Sequence, residues 1–314
     1  MNNNLDENNS EQSHIEMDLR EILSIVWKSK VLLVGITFAF SLFALIYSLY
    51  LPNVYKSKAL LSPVGEQNNM SSSMRGVGGI ASLAGINLGS ESNSNNSVKA
   101  LDKLNSLSFF SDNILPNIFL PDLMAIKSWD SANNKIIYDE RIYDETNQTW
   151  VRDFKYPQTQ IPSAQESYEI FIDNHFSMSQ DQETFFVTIA VKHQSPYIAH
   201  QWTELIVKEL NKFFRIKDKA EAQAAIDYLN GQIALTSFTE IKVAIAELFQ
   251  KKTQQLALIE VSDFYVYDYI DPPAVMEKKS EPKRLIILVI GGFVGIIVAM
   301  FAILLRHKFI NNNH

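Results

Sequence analysis

Cysteine is absent from all 314 residues, so the chain can form no disulfide framework, no thiolate zinc site, no iron–sulfur cluster and no cysteine nucleophile. Either redox compartment suits such a chain. Positive charge is scarce and dispersed: 28 Lys and Arg against 35 Asp and Glu give a formal net charge of −7. Without a dense basic block no face can meet nucleic-acid phosphates, which excludes nucleic acid as a partner. The six histidines, at 14, 175, 193, 200, 307 and 314, show neither HExxH nor HxxxH spacing, so a zinc site is unsupported. No GxSxG elbow, no GxxxxGK[ST] phosphate loop and no DxD pair occurs. Asp181-x-Glu183 comes nearest to the last, and its setting reads as a hairpin turn. Asp139, Glu140, Asp144 and Glu145 could suggest acid–base work on sugars, but Arg141 and Arg152 are interleaved with them in the manner of a solvated loop. No catalytic, cofactor-binding or metal-ligating residue is assigned, and the chain reads as a non-enzyme without a cofactor.

Hydrophobic residues make up 46% of the chain and are concentrated in two places. Val31–Leu51 and Leu285–Leu305 each run for 21 residues without a charge. As helices, each would span roughly 30 Å, the thickness of a bilayer's hydrocarbon core. A cleaved signal peptide is the competing reading of the first. It starts too far from residue 1, is too long for the apolar region of a signal, and lacks a small-x-small site before Pro52. Five regions follow: an N-terminal tail (1–30), a membrane helix (31–51), a large loop (52–284), a second membrane helix (285–305) and a C-terminal tail (306–314). Both termini then share one side of the membrane. The positive-inside count is neutral, with five Lys/Arg near the helix ends on the tails and six on the loop. Trp27, Tyr47 and Tyr50 sit where interfacial aromatics anchor a helix, and they are silent on orientation. Within the second helix Gly291, Gly295 and Ala299 fall at four-residue steps, placing small residues on one face for close helix packing.

In the loop, Val54–Leu61 reads as a strand. The Gly/Ser/Asn-rich stretch 65–97 includes Gly76-x-Gly78-x-x-Ala81, a relaxed dinucleotide fingerprint. The strand that fingerprint needs is missing, because NMSSSM precedes it, so a small-residue loop or helix is the plainer reading. Residues 109–160 read as irregular and aromatic-rich. Ser163-x-x-Glu166 offers a capping box. Phe176–Gln194 reads as a hairpin turning near Asp181–Glu183, with Phe185, Val187, Ile189 and Val191 on one face. Ser195-Pro196 starts a helix whose three- and four-residue apolar steps predict about 196–235, roughly 60 Å of helix. Ser237-x-x-Glu240 is a further capping box, and it predicts a second helix at about 239–258 that forms a hairpin with the first. The apolar stripe of so long a hairpin can pack on itself or meet another subunit. Tyr228, Leu229 and Ile233, near the distal end, are the candidate oligomer surface. Phe264–Ile270 reads as a strand returning toward the membrane, and Pro272, Pro273 and Pro282 mark an extended, semi-rigid segment over 271–284. The fold class is α+β: two membrane helices flanking an α/β base with a long protruding helical hairpin.

EMDLREILSIVWKSK (16–30), LPNVYKSKALLSP (51–63), SPYIAHQWTELIVKELN (195–211) and FYVYDYIDPPAVMEKKSEPKR (264–284), in this order around two membrane helices, resemble the chain-length determinant (Wzz) family of polysaccharide co-polymerases. The resemblance implies an inner-membrane protein of a Gram-negative bacterium with cytoplasmic termini and a periplasmic loop. It also implies a ring-like homo-oligomer that sets the modal length of O-antigen in lipopolysaccharide biosynthesis, working with the polysaccharide polymerase, and it leaves lipid-linked polysaccharide as a further partner. One position departs from the family's proline signature: Met276 stands where a further proline is usual. The absent phosphate loop sets the chain apart from longer relatives with a tyrosine-kinase domain. Two alternatives share this architecture, a polysaccharide-export adaptor and a two-helix membrane sensor with a periplasmic ligand-binding domain.

Overall fold

The computed structural model describes residues 27–64, 90–262 and 264–311, so Gly76, Gly78 and Ala81 lie outside the described residues. The chain divides into two compact units, one holding the two apolar helices and the other comprising Asn53–Ser280.

In the first unit, helix α1 (Lys30–Tyr50) and a C-terminal helix (Arg284–Asn311) pack on each other. Both are long and apolar enough to cross a membrane. Neither helix has a proline to break it, and α1 stops where Leu51 turns extended ahead of Pro52.

The second unit is built around a four-stranded antiparallel sheet in the order β6-β7-β1-β8. Its strands are β1 (Tyr55–Pro63), β6 (Phe176–Gln180), β7 (Val187–His193) and β8 (Tyr267–Asp271). Alternation decides which face is covered. Ala59 and Leu61 of β1 and Val187, Ile189 and Val191 of β7 are fully buried, whereas Lys58 is exposed. The long helix, Pro196–Leu235, lies across β1 and β7, and it buries Ala199, Trp202, Thr203, Ile206, Val207, Leu210, Asn211 and Phe214 at the expected three- and four-residue steps. Each large apolar side chain in that stripe contributes about 1.5–3 kcal/mol by leaving water. Between the sheet strands run α2 (Ser90–Leu104), α3 (Leu107–Phe109, continued by a π turn), α4 (Leu120–Met124) and α5 (Ala164–Ile170). The long helix is therefore α6, its partner Thr239–Val261 is α7, and the C-terminal helix is α8.

Residues 109–160, expected to be irregular, contain two small hairpins: β2 (Ile126–Asp130) with β3 (Lys135–Tyr138), and β4 (Tyr143–Asp144) with β5 (Thr149–Trp150). Their turns share one construction with the β6–β7 turn. Asp130, Asp144 and Asp181 each accept from the backbone N–H two residues on, at 2.9 Å, and from the side chain three residues on. The fifth residue, Asn134, Gln148 or Phe185, takes a positive φ of 48°, 53° or 57°. Phe185 thus belongs to the turn and is exposed, not part of the buried strand face. Since a Cβ strains this backbone conformation, Phe185→Gly should stabilise the protein by about 0.5–1 kcal/mol, which chemical denaturation would read directly.

Two of the expected caps differ from the sequence reading. Ser163 accepts from the Glu166 N–H at 3.2 Å, but the Glu166 carboxylate turns to Arg152 rather than back to the cap. Ser237 caps nothing, because α7 starts from Phe238 with no side-chain cap.

Candidate interaction surfaces

The α1–α8 pair is built on glycine. A Cβ at Gly291 would stand 2.4 Å from the Ala44 Cβ, and one at Gly295 would stand 2.9 Å from the Phe40 Cβ and 3.0 Å from the Thr37 Cα. The partner numbers fall as the α8 numbers rise, so the helices run antiparallel. Ala299, one turn further, is completely buried. Backbones this close leave no room for a side chain. Gly295→Leu should therefore force the helices apart and lower the thermal stability of the detergent-solubilised protein by roughly 1–3 kcal/mol, with the amount recovered in the membrane fraction unchanged.

The distal hairpin has almost no core. Beyond Ala222 no α6 side chain is fully buried, and α7 buries only Ile259. Leu235, Phe238, Ile241, Val243 and Leu248 are exposed. Of the sequence candidates, Tyr228 is 67% exposed, while Leu229 and Ile233 are half-buried. Tyr228 is the residue of the three that stands free for another chain.

In the proline segment, Pro272 is exposed and Pro273 half-buried. The segment is tied to β1 and the residues before it by two backbone groups and one side chain. Ser57 Oγ donates to the Ala274 carbonyl at 3.0 Å, Ser280 N–H donates to the Val54 carbonyl at 2.8 Å, and Lys279 Nζ lies 3.1 Å from Asn53 Oδ1. Pro282, half-buried, follows in the other unit.

A buried polar network, not anticipated from the sequence, joins α2, α6 and the return strand. Asn211 Oδ1 accepts from the N–H groups of Tyr265, Val266 and Tyr267 at 3.1, 2.8 and 3.0 Å, and Asn211 Nδ2 donates to the carbonyls of Val207 and Tyr267 at 3.1 and 3.0 Å. One helical face further along, Asp218 Oδ2 accepts from Asn96 Nδ2 and from Tyr265 Oη, both at 2.7 Å. The Tyr267 hydroxyl donates to the Ser97 carbonyl at 2.8 Å. Burial, reinforced by the Asp218 carboxylate, raises the Tyr265 pKa. Only one sequence signal marks this network: Asn211 and Asp218, seven residues apart, interrupt the apolar stripe of α6.

A second buried group surrounds Trp202. The rings of His175 and His193 lie 5.6 and 5.1 Å from it and 5.6 Å from each other. His175 Nδ1 lies 2.7 Å from the Lys192 carbonyl. Burial lowers the pKa of both histidines, that of His193 to about 4. Nearby, burial raises the pKa of Asp122, partly offset by the 2.6 Å hydrogen bond from Tyr138 Oη.

The acidic run does not converge. Asp139 is held by Arg141, which lowers its pKa to about 2. Asp144 closes its own turn through Asn147, and Glu145 pairs with Lys135 at 3.0 Å. Among the described residues, no group of three or more His, Asp or Glu could hold a metal.

These features describe an α+β protein with two apolar helices near its ends and a long helical hairpin lacking a core of its own. The family described as Wzz, chain length determinant protein, matches residues 15–108. This stretch contains the first two of the four strings that carry the resemblance, so the likeness to that family holds there. No curated protein matches the chain. Among solved structures, a full-length bacterial polysaccharide co-polymerase is similar at 12% identity and a TM-score of 0.41, covering 94% of this chain and 99% of that one. A fragment of WzzB, a polysaccharide co-polymerase from Salmonella Typhimurium, is similar at 13% identity and a TM-score of 0.31, covering 73% of this chain and 100% of the fragment.

Proposed function

We propose that this chain is a non-catalytic regulator of polysaccharide chain length, acting as an inner-membrane homo-oligomer beside the polymerase that extends O-antigen or a related polymer. The Wzz match over residues 15–108 carries the reading, and two helices long enough to span a bilayer agree with it. The orientation, loop periplasmic and both ends cytoplasmic, comes from the resemblance. A non-catalytic role is supported by the pairing of Asp139, Asp144 and Glu145 in separate turns and ion pairs. The exposed apolar hairpin supports assembly, since an apolar surface of this kind is stabilised by a neighbour.

Deleting the gene and running extracted lipopolysaccharide on a gel tests the function. Loss of modal banding with polymer still made is the expected result, whereas loss of all surface polymer would point instead to an export adaptor. Alkaline phosphatase fused after Gly65 should be active, and an inactive fusion would overturn the orientation. For the assembly, Tyr228→Asp should weaken crosslinked oligomers in membranes and shift the modal length while the monomer stays folded. Val187→Asp, which buries an unpaired charge in the sheet, should instead destabilise the monomer by several kcal/mol, about 3–5.

A further inference from the structure

Glycine occupies two kinds of place in this chain. At 291 and 295 a Cβ would collide with α1. At Gly231, inside α6, a Cβ would meet nothing within 4 Å, and the helix runs through the residue unbroken. Packing therefore does not ask for glycine there. Backbone geometry does not ask for it either, since every side chain tolerates right-handed helix. Against alanine, glycine in an exposed helix interior lowers the local helical population by about fivefold, and Asn230 before it is a weak helix former as well. Both residues are exposed, so water reaches the backbone and can enter the helical hydrogen-bond ladder at this point.

The two sides of Gly231 are held very differently. Toward the sheet, α6 is fixed by its buried stripe as far as Ala222, by the Asp218 bonds to Asn96 and Tyr265, and by the ion pair of Lys219 with Glu260 of α7. Farther out, no residue of α6 beyond Ala222 and none of α7 before Ile259 is fully buried. Side-chain bonds in this part run along one helix, as from Gln223 to Asp227 and from Thr236 to the Gln232 carbonyl. The distal turn is loosely held too, because α7 starts without a side-chain cap. It carries Leu235, Phe238 and Ile241, all exposed. Few buried contacts and a water-accessible backbone mark a segment that opens locally at far lower cost than the whole unit.

We propose that Asn230 and Gly231 form a bending joint in α6, on which the tip of the hairpin, with Leu235, Phe238 and Ile241, swings against a rigid proximal shaft. For its use the joint rests on the chain-length regulator reading above. In an assembly of such chains the direction of the apolar tip decides what surface it meets, and the joint sets how widely that direction ranges. Stiffening the joint should then strengthen the helix and impair the control. A glycine with only a packing or folding role would not couple these two effects in opposite senses.

Pairs of spin labels measure the joint in the full detergent-solubilised chain. The natural sequence has no cysteine, so introduced cysteines label cleanly, and excess unlabelled protein dilutes contacts between labelled copies. Lys208→Cys with Glu221→Cys spans the proximal shaft, and Glu221→Cys with Ala234→Cys spans the same number of residues across Gly231; all three positions are exposed. A straight helix places either pair about 20 Å apart. The distal distance distribution should be about twice as broad as the proximal one, and Gly231→Ala, whose added methyl meets no neighbour, should narrow it to the proximal width. Equal widths in the natural chain would overturn the joint. A distal width that Gly231→Ala leaves unchanged would overturn it too, because the motion would then belong to the hairpin as a whole. In cells, Gly231→Ala should shift or broaden the modal banding of lipopolysaccharide at an unchanged protein level, and adding Ala234→Gly, which restores a weak point nearby, should return it. Narrowed distances with unaltered banding in Gly231→Ala would remove the joint from length control. Deletion of the gene without any change in banding would overturn the regulator reading instead, a result separate from the label distances.

Discussion

Asn211→Leu should lower the unfolding free energy by about 3–5 kcal/mol, although it replaces a polar side chain with an apolar one of similar size inside an apolar stripe. The reason lies in what the amide does. Of its five hydrogen bonds, one is donated back to the Val207 carbonyl within α6, and four, three accepted and one donated, tie α6 to Tyr265, Val266 and Tyr267 as the chain enters β8. Leucine fills the volume but can neither accept nor donate, so buried backbone groups lose this partner and gain no water. A simple cavity effect predicts instead that Asn211→Ala is much worse than Asn211→Leu. Near-equal losses in urea denaturation of the two variants would assign the effect to hydrogen bonding. An unfolding midpoint unchanged in both would show that the return strand is held by other contacts.

Acidification gives the second large effect. His193 Nδ1 accepts from the Ser195 N–H at 2.9 Å, so it holds no proton there, and Nε2 donates to the Asp122 carbonyl at 3.1 Å. The ring is thus fixed as the neutral Nε2–H form, against His175 and Trp202. Burial depresses its pKa to about 4. The unfolded chain takes up this proton near pH 6.5, whereas the folded chain resists until about pH 4. Stability therefore falls as pH drops across that window, by about 3 kcal/mol from this residue, and this contribution levels off below it. His175, also depressed by burial, adds in the same direction. The carboxylates of Asp139, Asp181 and Glu166, whose pKa values are lowered by their hydrogen bonds, contribute only at more acid pH. Urea midpoints at pH 7.5, 5.5 and 4.5 should decline steadily, and His193→Gln, itself less stable at pH 7.5, should show a shallower decline. An equal slope in both proteins would remove His193 from the account.

The sequence revealed most where physical signals are local and periodic. Two uncharged apolar runs yield α1 and α8, and Ser195-Pro196 followed by a regular apolar step yields α6 from Pro196. Ser195 holds the cap position yet makes no side-chain cap bond. The helix start came from the proline and the stripe rather than from the hydroxyl. Residues 109–160 were hard to read because their hairpins turn on Asp with Asn134 and Gln148 at positive φ, where no glycine marks the turn. The buried networks were out of reach for another reason. Asn211 meets residues more than 50 positions away, and His193 meets Asp122 across 71. Local pattern shows only that a polar residue interrupts an apolar face. Of the interaction surfaces, the Gly291, Gly295, Ala299 stripe was legible in the sequence. The different exposures of Tyr228 and Ile233 depend on α7 and were not.

β1, the strand nearest the start of the α/β unit, occupies an interior place in the sheet, between β7 and β8. Both neighbours are made long after it: its register partners are residues 187–193 and 267–271. At ribosomal rates of roughly 5–20 residues per second, β1 emerges on the order of ten seconds before β7 can pair with it, and longer still before β8 can. Throughout that interval a segment of high β propensity has both edges open. The contact order set by this interior strand makes the last steps of synthesis the ones that close the sheet. A chain stalled before Tyr267 would be left with β1 lacking one of its two partners, and it should be a target for quality-control proteases even though its long helix and hydrophobic stripe are already complete.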